Sequence, residues 1–152
     1  MVAPPLTRRM TIDEFERITA LGENADRSFE LIDGEMVEKM PTLKHGKLAL
    51  RLGSRLLAFA EAAKLGHVGV EVRHQLPDDP HNSRLPDISY VSQERLAEAV
   101  DETVEFMPDL AVEIKSPKDS PTKMRLKANY YVDNGSRLVW LVFPDARIIE
   151  VY

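Results

Sequence analysis

An uninterrupted apolar run, Leu138–Phe143, indicates a central β-strand that is buried on both faces of a sheet. Such a strand needs helices packed on each side of its sheet. Two helical patterns, at residues 42–64 and 120–134, can supply these layers, because their caps and apolar spacing fit α-helices. The chain is therefore expected to fold as an α/β or α+β domain, in which helices flank a central mixed β-sheet.

Shorter elements complete this prediction. Thr11 and Glu14 fit a capping box at the start of a short helix, and Asp33-Gly34 is a strong signal for a two-residue β-hairpin. Alternating apolar residues predict further strands, and these segments are residues 68–76, 85–91, 109–115 and 147–152. A loop is expected at residues 78–84, and Ser92 is expected to cap a short helix that ends at about residue 100. Residues 1–10 are expected to form a flexible N-terminal arm, and residues 11–152 a single domain.

Two charged residues interrupt the strand predicted at residues 109–115. Glu113 and Lys115 share one face of that strand, where burial is costly unless a partner such as a metal ion compensates it. Asp87, after Pro86, lies in another predicted strand, and its carboxylate could join Glu113 and the carbonyl oxygen of Ile114 as hard oxygen ligands. The alternative is an ion pair at a strand end beside an unrelated surface aspartate.

Composition excludes some classes of protein. The 152 residues include no cysteine, so disulfides and thiolate metal sites are excluded, and no apolar run reaches the ~20 residues that span a bilayer. A cytoplasmic location without membrane contact is the expectation. The net charge of −5 does not favour nucleic-acid binding unless positive charge is concentrated locally. Such a concentration occurs at residues 115–127, either as a DNA contact or as a solvated helix face. His45, in the first turn of the long predicted helix, fits a role at the surface or in the capping region better than a place in a cleft.

The order of these motifs resembles the PD-(D/E)XK nuclease superfamily and, more closely, the Uma family of restriction endonucleases. The segments that carry the resemblance are residues 29–35, His45, residues 84–91, residues 108–117, Lys127 with Tyr130, and Gly135 followed by residues 138–142. The resemblance implies a restriction-endonuclease-like core and a site for Mg²⁺, or Mn²⁺ in its place.

The resemblance also implies roles for individual residues. Asp87 and Glu113 match metal-binding catalytic carboxylates, and Lys115 matches the catalytic lysine. Glu30, in the hairpin, is expected near the metal as a further catalytic carboxylate. Family members continue beyond the position of Tyr152, so the domain is expected to lack C-terminal elements.

Two functions follow as hypotheses. The first is a metal-dependent endonuclease that hydrolyses phosphodiester bonds, with DNA as substrate and a homodimer as the assembly, since twofold symmetry matches that of a duplex. The alternative is a catalytically degenerate binding module that keeps the nuclease fold. An intact set of Asp87, Glu113 and Lys115 favours the first hypothesis, whereas the acidic net charge favours the second.

Overall fold

A computed structural model describes residues 8–96 and 103–152 of the protein. The α-helices in these ranges are α1 (Ile12–Thr19), α2 (Leu43–Ala62) and α3 (Pro121–Asp133), and a 3₁₀ turn covers Gly22–Asn24. The strands are β1 (Ser28–Ile32), β2 (Glu35–Lys39), β3 (Gly66–Val70), β4 (His74–Gln75), β5 (Ser83–Arg84), β6 (Ile88–Ser92), β7 (Leu110–Ile114), β8 (Leu138–Phe143) and β9 (Ile148–Val151).

The described strands form two sheets. The larger sheet has the order β3-β6-β7-β8-β9, and the smaller has the order β2-β1-β5-β4. In the larger sheet β7 and β8 run parallel, whereas the other neighbours are antiparallel. The prediction of a mixed sheet is therefore confirmed, and β8 occupies the interior position expected for the apolar run.

Helices α2 and α3 cover opposite faces of the larger sheet. Leu48, Leu52 and Leu56 of α2 pack on one face, against a buried cluster that includes Val112. Met124, Ala128 and Tyr131 of α3 pack on the other face, and that buried cluster consists further of Met107, Ala111, Val139, Leu141 and Phe143. Because side chains alternate along β7, Glu113 points to the same face of the sheet as Ala111, which is the face covered by α3.

None of the helices in the described part of the chain is long and apolar enough to cross a membrane.

The β1–β2 hairpin matches its prediction and also holds the preceding chain in place. Asp33 and Gly34 both have positive φ angles, 51° and 81°, as a two-residue turn of this kind requires. The backbone N–H of Met10 donates to the carbonyl of Gly34 at 3.1 Å. Arg9 and Met10 of the predicted arm are therefore attached to the hairpin, and residues 1–7 lie outside the described residues. The division into an arm and a single domain stays a prediction.

Two element predictions were wrong, and a third was wrong over the residues that the structure describes. The single strand expected at residues 68–76 is divided between the sheets, because the chain breaks at Glu71, which has a φ of 49°. The loop expected before Leu85 contains β5, which pairs with β1 and β4. The helix expected at residues 92–100 is not present at residues 93–96, of which 93–95 form a turn, and its remainder lies outside the described residues.

His74 makes the stability of this fold depend on pH. Its side chain is fully buried, and Nδ1 donates to the carbonyl of Phe106 at 2.8 Å. Burial lowers the pKa of His74 to about 4. An unfolded chain therefore binds a proton at His74 below about pH 6.5, whereas the folded chain resists it until about pH 4.

We expect acid to destabilise the protein between pH 6.5 and pH 4, with His74 contributing about 3 kcal/mol to the loss. His74→Asn keeps a donor for Phe106 and removes the titrating ring, so its unfolding free energy should fall less over this interval. Urea titrations at several pH values measure the difference, and both proteins should be compared first at pH 7.5, where His74 is neutral in either state. Parallel pH profiles for the two proteins would contradict this role of His74.

Candidate active site

The pairing of β6 with β7 brings Asp87 and Glu113 together. Ile88 lies opposite Val112 in this antiparallel pair, so the next position along the register places Asp87 beside Glu113. The backbone N–H of Ile114 donates to Oδ2 of Asp87 at 2.7 Å. Both carboxylates are 4% exposed, so they are almost completely removed from water. Two acidic side chains that are 26 positions apart in sequence thus become neighbours at a strand end.

The smaller sheet contributes a third buried carboxylate, that of Glu30. Phe29 and Leu31 of β1 enter a cluster of buried apolar side chains, and Glu30 alternates with them onto the opposite face. The backbone N–H of Leu85 donates to Oε1 of Glu30 at 3.0 Å. Since Leu85 lies just after β5, this bond holds Glu30 near the segment that leads to Asp87.

Lys127 of α3 joins the carboxylates of the two sheets. Its Nζ lies 2.9 Å from Oε2 of Glu30 and 2.8 Å from Oε1 of Glu113. One helical turn later, the hydroxyl of Tyr131 donates to the same oxygen of Glu113 at 2.9 Å. The side chain of Lys127 is 14% exposed, so this ammonium is largely buried between its two partners. α3 therefore supplies both the charge and the hydrogen bond that Glu113 needs in the interior.

Asp87 has a separate set of partners. Nζ of Lys39, at the end of β2, lies 2.7 Å from Oδ1 of Asp87 and donates to the carbonyl of Leu85 at 2.6 Å. Nε2 of His45 lies 3.1 Å from Oδ2 of Asp87. Thr42 caps α2 and accepts the N–H of His45 at 3.2 Å, which fixes the imidazole at the start of the helix. Asp87 thus contacts groups from β2, α2 and β7.

Burial and charge act differently on the three carboxyl groups. Burial, reinforced by repulsion from Glu30 and Asp87, raises the pKa of Glu113 to about 7 against the attraction of Lys127. Burial would also raise the pKa of Asp87, but hydrogen bonding from His45 and the charge of Lys39 hold it well below its usual range. The charges of Lys127 and Lys39 likewise outweigh burial and lower the pKa of Glu30. Glu113 is therefore the carboxyl most easily protonated at neutral pH.

Charge and burial also act in opposite directions on the pKa values of the basic partners, Lys127 and His45. Attraction to Glu113 and Glu30 outweighs burial and raises the pKa of Lys127. The hydrogen bond to Asp87 raises the pKa of His45, again against burial. The cluster therefore contains two ammonium groups, one imidazole and three carboxyl groups, and its net charge stays close to zero.

Lys115, the lysine singled out from the sequence, has different contacts. Its Nζ donates to the carbonyl of Ser116 at 3.1 Å, and its charge acts on Asp145 in the turn after β8. In the described part of the chain, the lysines that form ion pairs with the clustered carboxylates are Lys39 and Lys127. The structure therefore brings together Glu30, Asp87 and Glu113 but gives Lys115 partners elsewhere.

Three members of the cluster were missed or misplaced by the sequence analysis. His45 was expected at the surface or in the capping region, and it lies beside the cap Thr42 but is only 8% exposed. Tyr131 could be placed on the core face of a helix, but nothing in its spacing indicated a carboxylate partner. Lys39 follows four strand residues without any local signal, since its partners are 46 and 48 positions away.

Comparison with known proteins agrees with this architecture. A family model described as "Uma2: Putative restriction endonuclease" matches residues 12–152. A crystal structure of a protein from Anabaena variabilis ATCC 29413, described as a "putative nuclease belonging to DUF820", has 26% sequence identity and a TM-score of 0.78. The match covers 94% of this chain and 79% of that one, and it confirms the predicted fold class. No match was found among curated proteins. The family match covers most of the sequence, and the chain belongs to the Uma2 family.

Proposed function

We propose that this protein is a metal-dependent endonuclease that hydrolyses phosphodiester bonds in DNA. The observation that carries the proposal is the cluster in which Lys127 joins Glu30 and Glu113 while Asp87 lies beside Glu113. Membership of the Uma2 family and similarity to the Anabaena protein, itself described as a nuclease, both support a nuclease. The comparisons support a nuclease in general, whereas metal dependence and DNA as the substrate are proposed from the chemistry of the clustered side chains.

The donor set fits a hard divalent cation. Mg²⁺ is commonly bound by one or two carboxylates together with water and substrate phosphate, so Asp87 and Glu113 would suffice as its protein ligands. Among residues 8–96 and 103–152, no three acidic or histidine side chains stand close enough to hold a metal as they are arranged. A bound cation would therefore depend on two carboxylates, with the carbonyl of Ile114 proposed as an additional ligand.

A bound Mg²⁺ or Mn²⁺ would polarise the phosphoryl group and lower the pKa of a coordinated water. The residues of the chain would prepare the site for that chemistry. Tyr131 and Lys127 hold one oxygen of Glu113, Oε1, so the other oxygen of this carboxylate would face the metal. The ammonium of Lys127 also supplies a fixed positive charge where negative charge grows on a phosphate during hydrolysis. Glu30 keeps that ammonium in place.

The contacts favour Lys127 over Lys115 for the role of the catalytic lysine. Lys127 contacts Glu113 directly, whereas the ammonium of Lys115 donates to a neighbouring carbonyl. The assignment of Lys115 from the sequence stays a prediction, and the two residues can be separated by mutation. Asp87 and Glu113 keep the metal-binding roles that the sequence resemblance implied, and the further role of Glu30 as a catalytic carboxylate near the metal stays a prediction.

We expect Glu113→Gln and Lys127→Arg each to lower the rate of DNA cleavage by about a hundredfold or more. Glu113→Gln removes a charged ligand with little change in shape, and Lys127→Arg keeps the positive charge but alters its geometry. The measurement is cleavage of plasmid and single-stranded DNA with Mg²⁺ or Mn²⁺. Circular dichroism verifies that each variant is folded.

Lys115→Met is the matched control for this experiment. It removes an ammonium two positions from Glu113 without touching the buried ion pairs, and we expect cleavage within a few-fold of the wild-type rate. Loss of cleavage in Lys115→Met with full activity in Lys127→Arg would reverse the assignment of the lysine. Cleavage that persists in Glu113→Gln would place the activity outside this cluster.

Metal binding provides an independent prediction. Calorimetric titration with Mn²⁺ should show one site in the wild-type protein, and Asp87→Asn should weaken it strongly because a charged oxygen ligand is lost. Asp145→Asn is the control, since it removes an exposed carboxylate paired with Lys44 at the surface. Equal affinities in the wild-type protein and Asp87→Asn would show that the metal binds elsewhere.

One observation favours a second function. The carboxylates are already compensated by ammonium groups, as expected for a catalytically degenerate module that keeps the fold for binding. A protein that binds DNA in a gel-shift assay, but neither binds Mn²⁺ nor cleaves, would support this alternative.

The homodimer stays a prediction, based on the need to attack both strands of a duplex. We expect light scattering at tens of micromolar protein to give twice the mass of the 17.2 kDa chain. A single species with the mass of one chain, with or without a DNA duplex, would contradict it.

A further inference from the structure

Lys39 is a buried ammonium in contact with a proposed metal ligand. Its side chain is 11% exposed, and Nζ lies 2.7 Å from Oδ1 of Asp87. Its second partner is the carbonyl oxygen of Leu85, at 2.6 Å. A carboxylate oxygen and a carbonyl oxygen are also the kinds of atom that hold a hard cation. The ammonium therefore occupies a position suited to a metal ion.

The two oxygens of Asp87 are held by groups of unequal mobility. Oδ2 accepts the backbone N–H of Ile114, which belongs to the paired strand β7, and contacts the ring of His45 near the helix cap. Oδ1 contacts Lys39, whose ammonium ends a flexible four-carbon chain. Oδ1 can therefore be exposed to a ligand by the movement of one side chain, whereas freeing Oδ2 requires a change in the sheet or in α2.

Lys39 lies next to solvent-exposed chain. It is the last residue of β2, an edge strand of the smaller sheet, and the following residue, Met40, is 53% exposed. Lys127 differs in this respect, since it contacts two carboxylates from the middle of α3. The two ammonium groups are therefore unequal, and Lys39 has fewer charged partners to lose.

We propose that Lys39 is a displaceable internal cation that occupies the position of the divalent metal at Asp87 and competes with it for the site. This inference rests on the proposed function, since it concerns the metal of that same site. Entry of the metal breaks the contact of Lys39 with Oδ1 of Asp87 and moves the ammonium toward solvent beside Met40. In the metal-free protein, Lys39 balances the charge of Asp87 and so keeps this buried carboxylate stable.

Calorimetric titration with Mn²⁺ and with Mg²⁺ tests the competition. Lys39→Met removes the ammonium and keeps an unbranched side chain, so the metal no longer has to displace an ion pair. We expect Lys39→Met to bind each metal at least about tenfold more tightly than the wild-type protein, the size of one charged hydrogen bond. Lys44→Met is the control, because it removes an ammonium paired with Asp145 at the surface, and its metal affinity should equal that of the wild-type protein.

The same variants should differ in thermal unfolding. Without metal, Lys39→Met should unfold at a lower temperature than the wild-type protein, since Asp87 loses a compensating charge. Saturating Mn²⁺ should raise the unfolding temperature of Lys39→Met by more than that of the wild-type protein. Lys39→Gln, which keeps a donor for Leu85, replaces Lys39→Met if the latter does not fold.

A direct observation on the wild-type protein needs no variant. The ammonium of a buried, ion-paired lysine gives a slowly exchanging ¹⁵N-attached proton signal in NMR spectra. We expect the Lys39 signal to disappear on addition of Mg²⁺ and the Lys127 signal to remain.

The outcomes separate this inference from the proposed function. If the wild-type protein binds metal at Asp87, but Lys39→Met binds it equally or more weakly, the displacement by Lys39 is wrong and the metal site stands. A Lys39 signal that persists in saturating Mg²⁺ leads to the same conclusion. If neither protein binds metal, the metal-dependent function fails and this inference fails with it.

Discussion

The ion pairs of Lys127 are the interaction on which the arrangement of the molecule depends. Glu30 belongs to the smaller sheet and Glu113 to the larger, and both are buried where an uncompensated carboxylate would be strongly destabilising. One ammonium, 2.9 Å and 2.8 Å from them, compensates both. α3 must therefore pack with Lys127 at the junction of the sheets, and the apolar contacts of Met124 and Ala128 support that position.

The polar contacts compensate the charges of the buried carboxyl groups to different extents. Asp87 contacts the ammonium of Lys39, the imidazole of His45 and a backbone N–H, so it stays ionised despite its burial. Glu113 has fewer compensating contacts and repulsive neighbours, so its pKa rises to about 7. Two carboxyl groups that lie opposite each other on neighbouring chain segments thus differ in how readily they accept a proton. This difference in pKa arises from the positions of the basic side chains around each carboxyl group. Those positions depend on how the helices and the smaller sheet pack, and not on the pairing of the two strands.

The sequence predicted those parts of the structure that depend on short local patterns. Thr11 with Glu14, the Asp33-Gly34 turn and the apolar run at β8 are short signals, and each appears in the structure as expected. Glu113 could be identified because it interrupts an apolar strand pattern, and Asp87 because it follows Pro86 in another predicted strand. Lys39 could not be assigned, since its position depends on how two sheets meet. The break at Glu71 was missed because the alternation of valines continues across it.

The division of the buried carboxylates between the sheets links the site to the completion of folding. β6 and β7 alone would supply Asp87 and Glu113, but Glu30 and Lys39 arrive only when the β1–β2 hairpin docks. A chain that has formed only its larger sheet would leave Asp87 without Lys39, and Lys127 without Glu30. Under the proposed function, an incompletely folded copy would be a poor nuclease, so newly made or damaged chains would pose little hazard to nucleic acid around them.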